Sequence, residues 1–412
     1  TPRIPRMRPI PADSPRLLVL LGALSAMVAL SIDMGLPALP GLATALHAPQ
    51  RDGALTLSLF LAGFALAQLA FGPLSDRFGR RPTLLGGCVL FSLGSAACTL
   101  APGMPTLLSA RLLAGCGAGA GMVVVLAVIR DLFEGARARS HLSTLNLIRA
   151  IAPIVAPSIG AWVLRVSSWR GIYALLTGFG LLVTLMAWRG LGESLRRPDP
   201  HALRLRRLAA NYRDMLAHPE AFGHAMVNAL AFGSLFAYVA GSPLLMTRVL
   251  GLSPAQYGIV FAGTALGIVG GASTSKYLGN RHVPAHRPLT AGLCMALVAA
   301  CMLVVLGWLP QAGLAAYLPL LLLGTFSYGL ISPNAVHGAL HPMPHIAGVA
   351  GASLGFVQMA TGAAASALVA WFDDGRSAHS MSLTMVLCCA GALLTYLVVA
   401  RPAQRRRLAQ PA

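Results

Sequence analysis

Asp33 is the only acidic residue well inside an apolar stretch of this sequence, a stretch that runs from Leu17 to about Leu39. An ionisable side chain inside a membrane span is costly and is functional by default. A buried carboxylate can bind and release a proton when its surroundings alternate, so Asp33 is predicted to be a proton-binding residue. The alternative is a solvated carboxylate at a helix end, because Pro37 and Pro40 follow closely.

Arg111 is the predicted partner of Asp33. Asp33 precedes Pro40 by seven residues and Arg111 follows Pro105 by six. Because each helical residue rises about 1.5 Å, both side chains are expected roughly 10 Å below the same ends of their helices. Arginine keeps its proton, so Arg111 would tune Asp33 or contact a substrate. The alternative is that Arg111 extends to the lipid headgroups.

The composition shows what kind of protein must position these residues. The chain has 412 residues, of which 56% are hydrophobic and 10% are charged, and its mean hydropathy is +0.71. Soluble chains are about 25% charged, so these values exclude an ordinary soluble domain and also a disordered chain. Twelve apolar stretches are long enough to span a bilayer, at about 17–40, 54–75, 83–102, 105–130, 141–165, 169–189, 221–247, 255–279, 288–309, 312–338, 346–371 and 380–400.

The sequence therefore predicts an all-α membrane protein with twelve transmembrane helices in two groups of six. The predicted parts are an N-terminal tail (1–16), a first six-helix bundle (17–189), a linker (190–220), a second six-helix bundle (221–400) and a C-terminal tail (401–412). The net charge of +19 would suggest nucleic acid as a partner of a soluble protein. Here the basic residues cluster at the two ends and in alternate loops, which predicts that both termini are cytoplasmic and that nucleic acid is not a partner.

The loop after the second predicted span combines glycine and charge in a chain that otherwise avoids charge, in the sequence Gly72-Pro73-Leu74-Ser75-Asp76-Arg77-Phe78-Gly79-Arg80-Arg81-Pro82. It resembles the signature of loop 2–3 in the major facilitator superfamily. That resemblance implies two six-helix bundles around a central cavity, and it implies a conformational latch made by Gly72, Asp76, Arg77, Gly79, Arg80, Arg81, Arg130 and Asp131. In such a latch, Asp76 and Arg77 hold the two halves together and exchange ion pairs with Asp131.

Further segments resemble the Bcr/CflA branch of drug/proton antiporters, namely Asp33 to Pro40, Arg111 to Gly121, Arg130 to Phe133, Ala152 to Gly160, Pro254 to Gly258 and Ser332 to Ala335. Ala156 and Ala161 stand where the span 5 signature of those antiporters has glycine. The resemblance implies a monomeric exporter in the bacterial inner membrane that moves small, neutral or weakly charged antibiotics. It would be driven by the proton gradient and would need no bound cofactor.

Other residues inside spans have predicted roles in bending or in the cavity. Pro153 and Pro157 each remove a helical hydrogen bond, so together with Gly160 they are predicted to bend span 5 and to act in gating. The polar and aromatic side chains that could line a substrate cavity are Phe60, Phe64, Gln68, Asn146, Asn228, Phe232, Tyr238, Asn334 and Gln358. Each of them could instead make an interhelical contact.

Four histidines are further candidates for titration, and one alternative function remains open. His224, His337, His341 and His345 could titrate near neutral pH, although they are expected near helix ends. The sequence lacks a phosphate-binding loop, which argues against direct ATP drive. It offers no nucleophile–base pair or paired acids in a span, so an enzyme is not expected. A facilitator or proton symporter for a sugar or amino acid remains the alternative to drug export.

Overall fold

The structure is a computed structural model that describes residues 14–195, 197–203, 213, 217–309, 312–342, 347–375 and 377–409. Within these ranges the regular structure is entirely helical. Twelve helices are long and apolar enough to cross a membrane, which confirms the predicted fold class.

The twelve helices, here called α1 to α12, follow the predicted spans closely. In chain order they are α1 (Pro15–Asp33), α2 (Gln50–Phe78), α3 (Arg80–Thr99), α4 (Met104–Leu132), α5 (Gly135–Val166), α6 (Trp169–Gly190), α7 (Pro219–Pro243), α8 (Pro254–Asn280), α9 (His286–Gly307), α10 (Leu314–Leu340), α11 (Ala347–Trp371) and α12 (His379–Thr395). After α12, a π-helical turn (Tyr396–Ala400) leads into a further helix, α13 (Arg401–Ala409), in the predicted C-terminal tail.

An even number of crossings brings the start of α1 and the end of α12 to one side of the molecule, called here the terminal face. The connections α2–α3, α4–α5, α6–α7, α8–α9 and α10–α11 also lie on the terminal face, and the remaining connections lie on the opposite far face. Helices α1 to α6 pack on one another as the first half, and α7 to α12 pack as the second half. The two halves meet mainly where α2 packs on α11 and where α5 packs on α8.

Close helix packing in the first half depends on small residues in α4. A Cβ atom on Gly115 would lie 2.0 Å from the carbonyl oxygen of Phe60 in α2, and one on Gly117 would lie 2.3 Å from the backbone nitrogen of Phe91 in α3. Only glycine permits such approaches, so α4 is held between α2 and α3 with its backbone nearly touching both. This packing fixes Arg111, which α4 carries four residues before Gly115.

The first membrane helix breaks at Asp33. Pro37 has no N–H group to donate to the carbonyl group of Asp33, four residues earlier, and its ring crowds that carbonyl, which disfavours an α-helix past Asp33. The chain instead forms a 3-10 turn (Leu36–Ala38) and then a short helix (Leu39–Ala45). A carboxylate therefore lies at an interruption of a membrane helix, an arrangement that transporters use for ion and substrate sites.

The far face is where the halves are closed against each other. The turn Leu36–Ala38 of the first half contacts both α7 and α8. Arg248 donates a hydrogen bond from Nη2 to the carbonyl oxygen of Pro40 at 3.2 Å, and the guanidinium of Arg51 lies 5.5 Å from the ring centre of Trp371.

Candidate coupling and substrate site

Asp33 is buried where three helices of the two halves meet. The residue is 5% exposed, so it is not a solvated carboxylate at a helix end. A Cβ atom on Gly160 of α5 would lie 2.1 Å from the carbonyl oxygen of Met34, which shows how closely α5 packs beside it. Tyr257 of α8 is fully buried and near enough to interact electrostatically with Asp33. The surroundings of Asp33 therefore include both halves and change if the far face opens.

Arg111 is also buried, at 4% exposure, which excludes an arginine that extends to the headgroups. Its Nε donates to the carbonyl oxygen of Thr56 at 3.2 Å, and its Nη1 donates to Ser31 Oγ at 3.4 Å. The guanidinium lies 4.4 Å from the ring centre of Phe60 and 5.7 Å from that of Tyr173. These contacts tie α4 to α1, α2 and α6.

The predicted ion pair between Asp33 and Arg111 is not formed in this structure. Among the described residues neither side chain has an ion-pair partner, and Arg111 faces α2 and α6. The estimate of equal depth uses only the rise of each helix and says nothing of the direction in which a side chain leaves it. Ser31 is the residue of α1 that Arg111 contacts, two positions before Asp33.

Three of the predicted cavity residues come together in the second half. Asn228 Nδ2 donates to Gln358 Oε1 at 3.1 Å, and Gln358 Nε2 lies 3.4 Å from the hydroxyl of Tyr328. The ring of Phe232 lies 6.1 Å from that of Tyr328. Gln68 reaches this region from the first half, since a Cβ atom on Gly355 would lie 3.0 Å from its Oε1. Tyr328 was missed because a tyrosine in an apolar stretch gives no signal of its partners.

The remaining cavity candidates lie apart from this group. Tyr238 bonds to Thr264 between α7 and α8 at 2.7 Å, and Asn334 donates to Ser275 between α10 and α8 at 2.8 Å. Phe60 and Phe64 are fully buried in the first half. Asn146 is exposed on α5.

The two prolines of α5 do not interrupt it, because the helix is continuous from Gly135 to Val166. Gly160 has a clear structural role, since its lack of a side chain admits the backbone of α1 beside Asp33. Whether Pro153 and Pro157 act in gating stays a prediction.

Three of the predicted latch residues, Asp76, Arg80 and Asp131, form a compact network at the terminal face. Arg80 Nε donates to Asp131 Oδ2 at 2.9 Å, and its Nη1 donates to Ser75 Oγ at 2.7 Å and to Asp76. The prediction that Arg77 pairs with Asp131 is wrong in this structure. Arg77 lies at the exposed end of α2 with its guanidinium 5.4 Å from the ring centre of Phe78, whereas Arg80 starts α3 and faces α4.

Glu193, which follows α6, completes this network and was not foreseen. Its two carboxylate oxygens accept the backbone N–H groups of Arg80 at 2.9 Å and Arg81 at 3.1 Å, which are unpaired donors at the start of α3. Gly79 has φ +101° and a Cβ atom there would lie 2.4 Å from Glu193 Oε2, so only glycine fits. Glu193 lies in a polar linker where no periodic pattern marks a contact with α3.

The other latch residues have separate contacts. Arg81 Nη2 donates to the carbonyl oxygen of Trp188 at 2.7 Å, and the carbonyl oxygen of Gly72 accepts the Ser75 hydroxyl at 2.8 Å. Arg130 is exposed. Because the ion pairs of Arg80 join α2, α3 and α4, they lie within the first half, and a latch between the halves stays a prediction.

The terminal face of the second half has a different ion pair. Arg407 of α13 lies 3.1 Å from Glu220 Oε2, and its Nη1 donates to His341 Nδ1 at 2.9 Å. His224 Nδ1 donates to the carbonyl oxygen of Glu220 at 2.9 Å, and the rings of His337 and His341 lie 5.2 Å apart. His345 lies outside the described residues. Three of the four histidines therefore surround the attachment of α13.

Comparisons with known proteins agree with this arrangement. The Major Facilitator Superfamily matches residues 21–370. The chain is 28% identical to a bicyclomycin resistance protein homolog of Haemophilus influenzae, over 91% of this chain and 94% of that protein. It is 30% identical to the multidrug resistance protein MdtL of Salmonella heidelberg, over 96% of this chain and 97% of that protein.

A solved structure shows the same fold. It is a bacterial homolog of the human lysosomal transporter Spinster in an inward-facing and occupied conformation, which superposes with a TM-score of 0.76 at 15% identity over 96% of this chain and 98% of that one. The relatives confirm the resemblance to the drug-resistance branch. The chain is a multi-pass membrane transporter, not an enzyme, and it belongs to the Major Facilitator Superfamily.

Proposed function

We propose that the chain exports small antibiotic-like compounds in exchange for protons, with Asp33 as the proton-binding residue. The observation that carries this proposal is the position of Asp33, buried at the break of α1 and enclosed by α5 and α8. An ionised carboxylate in such a place loses its hydration and a protonated one loses far less, so protonation and closure of the far face favour each other.

The cycle follows from this linkage. With the far face open, Asp33 takes a proton from that side. The turn Leu36–Ala38 then closes against α7 and α8, and the compound enters from the terminal face and replaces the proton. Arg111 serves as a positioning residue, because its bonds to Ser31 and Thr56 hold α1 beside α2 just before the break.

The direction of transport requires the terminal face to be cytoplasmic, in a bacterial inner membrane. This orientation is supported by the concentration of basic residues at the terminal face. A reporter that is active only in the cytoplasm and is fused after Ala412 is expected to be active. An inactive fusion, with the same reporter active in the α1–α2 connection, would reverse the orientation.

The proposed substrates are small and neutral or weakly charged, and the exporter acts as a monomer driven by the proton gradient. Support comes from the relatives named for resistance to bicyclomycin and to multiple drugs. The neutral hydrogen-bonding group of Asn228, Gln358 and Tyr328 also suits uncharged polar compounds.

The test uses proteoliposomes that contain a pH-sensitive dye and carry an imposed pH gradient. Phenicols, bicyclomycin and lipophilic cations are added in turn to the wild type and to Asp33→Asn. Wild-type protein is expected to move protons when a substrate is added, and Asp33→Asn is expected to abolish that movement because the amide cannot be protonated in this range.

Asp52→Asn is the matched control, because Asp52 is an acid on the far face that pairs with Arg51 at 3.7 Å outside the helix break. It should keep coupled proton movement. Continued movement in Asp33→Asn would place the proton site elsewhere, with the histidines as the next candidates. No movement in the wild type with any compound would refute antiport and favour a metabolite facilitator.

A further inference from the structure

Arg149 lies deep in α5 and has no part in the coupling site. It is fourteen residues from the start of α5 at Gly135 and seventeen from its end at Val166, so it lies roughly 21 Å from one end and roughly 25 Å from the other. An arginine at this depth is costly unless something compensates its charge.

The faces of α5 show what Arg149 borders. One face is exposed to lipid, with Ile151, Trp162 and Val166 as its large apolar side chains. At about 100° per residue, Asn146 lies on the opposite face, and it is exposed as well. Arg149 follows Asn146 by three residues, so it lies about 60° from Asn146 on the same side of α5. The helix α5 packs on α1 of its own half and on α8 of the other half. Both side chains therefore border the space between the two halves.

The guanidinium of Arg149 has one edge without partners. Its Nε and Nη2 atoms are buried and donate to no residue that the structure describes. Arg149 as a whole is half-buried. The two arginines that are buried as whole residues differ, because Arg80 binds two carboxylates and Arg111 binds a carbonyl, a hydroxyl and two rings. Nε and Nη2 form the side edge of the planar group, which matches the two oxygens of a carboxylate.

No carboxylate in the described part of the chain pairs with that edge of Arg149. Asp33 adjoins Met34, which packs on Gly160, and Gly160 is eleven residues or roughly 16 Å further along α5 than Arg149. The second half has no Asp or Glu between Ala221 and Phe372. Asp131 binds Arg80, and Glu134 is exposed before α5 begins.

We propose that Arg149 binds the acid group of the transported compound through its Nε and Nη2 atoms. The preferred substrates are then small organic acids with one carboxylate, or a comparable oxyanion, on an otherwise neutral body. This inference rests on the proposed transport function and narrows its weakly charged substrates to weak acids.

The test compares acids with their own esters. Binding of nalidixate, salicylate and 1-naphthoate, each against its methyl ester, is measured on purified protein in detergent by quenching of tryptophan fluorescence. The wild type is expected to bind at least one acid about tenfold or more tightly than its ester, because only the acid offers a charged acceptor for the hydrogen bonds of Arg149. Arg149→Gln should bring the ratio of acid affinity to ester affinity close to one. Arg149→Lys should retain only part of the preference, because an ammonium group cannot donate two parallel hydrogen bonds to a carboxylate as a planar guanidinium does.

Arg165→Gln is the matched control, since Arg165 is an exposed arginine near the far end of the same helix. It should keep the wild-type ratio. Equal affinity for acid and ester in the wild type, no binding of any acid, or an unchanged ratio in Arg149→Gln would each overturn the proposal. Competition by added phosphatidylglycerol that depends on Arg149 would assign the site to a lipid headgroup and would also overturn it.

Two further measurements test whether Arg149 serves to bind acids, to stabilise the fold or to couple protons. Arg149→Met should keep or raise the unfolding temperature of the ligand-free protein, because a buried charge without partners is removed. A fall in that temperature would show that Arg149 holds the fold together instead. Asp33→Asn should keep the preference for acids while it loses proton movement, so a failure of coupling leaves the test of Arg149 intact.

Discussion

The two halves share a fold but differ in how they use charge. Inside its spans the first half carries Asp33, Arg111 and Arg149, and at the terminal face it carries the network around Arg80. The second half has no acid between Ala221 and Phe372, and its buried polar groups include the neutral contact between Asn228 and Gln358. The comparison suggests that charge-dependent steps belong to the first half and that the second half offers neutral hydrogen bonds.

The largest expected difference between the two halves is in how much their ion pairs at the terminal face contribute to stability. The Arg80 side chain is 9% exposed, whereas that of Arg407 is 35% exposed. Asp131→Asn leaves a buried cation short of a partner and should lower the unfolding free energy by about 2 kcal/mol. Glu220→Gln replaces a carboxylate that is itself only 3% exposed, but it leaves Arg407 in contact with water. It should therefore cost less than Asp131→Asn, at about 1 kcal/mol.

Unfolding of the purified proteins in detergent measures both substitutions. If Glu220→Gln lowered the unfolding free energy as much as Asp131→Asn, the expected difference between a buried and a partly exposed arginine would be wrong.

The cap of α3 gives a smaller contrast within a single helix. Gly79→Ala forces a side chain into φ +101° and against Glu193, so it should destabilise the protein by roughly 1 to 2 kcal/mol. Gly86→Ala is the control in the same helix, because its Cβ atom would meet nothing within 4 Å and alanine favours helix. Thermal unfolding should give a lower unfolding temperature for Gly79→Ala than for Gly86→Ala. Equal unfolding temperatures would show that the contact of Glu193 with the start of α3 does not require glycine at position 79.

The neutral contact of the second half should show the smallest effect. Asn228→Leu or Gln358→Leu alone leaves a buried amide without its partner, at about 1 kcal/mol each. The double substitution should cost less than the sum of the two, because neither amide is then left unpaired. Strict additivity in the unfolding free energies would mean that the 3.1 Å contact contributes nothing.

The fold could be predicted from sequence because hydrophobic stretches of the required length recur twelve times. Most of their ends agree with the helices within a few residues, but α1 ends at Asp33 where the predicted span continues to about residue 40, and α5 begins at Gly135, six residues before its predicted start. Asp33 could be singled out because a carboxylate in such a stretch is rare. The sequence predicted one span to about residue 40, with a helix end near Asp33 only as the alternative, so the break of α1 at Asp33 is a finding of the structure.

Side-chain direction could not be predicted in the same way. Arg111 and Asp33 have matching depths, yet Arg111 leaves α4 toward Thr56 and Phe60. Glu193 is far in sequence from the N–H groups of Arg80 and Arg81 that it accepts, and such long-range caps have no local pattern. The sequence places Arg149 inside a predicted span, but only the structure shows which edge of its guanidinium lacks partners among the described residues.

Membrane voltage acts on a carrier through the charges that change depth when its halves move. Between Ala221 and Phe372 the basic residues of the second half, Arg248, Lys276, Arg281 and Arg287, lie near helix ends. Moving one elementary charge through 100 mV is worth about 2.3 kcal/mol, so that half is almost insensitive to the field. The electrical driving force of the cycle is then set by the protonation of Asp33, by the two arginines in the spans of the first half and by the charge of the bound compound.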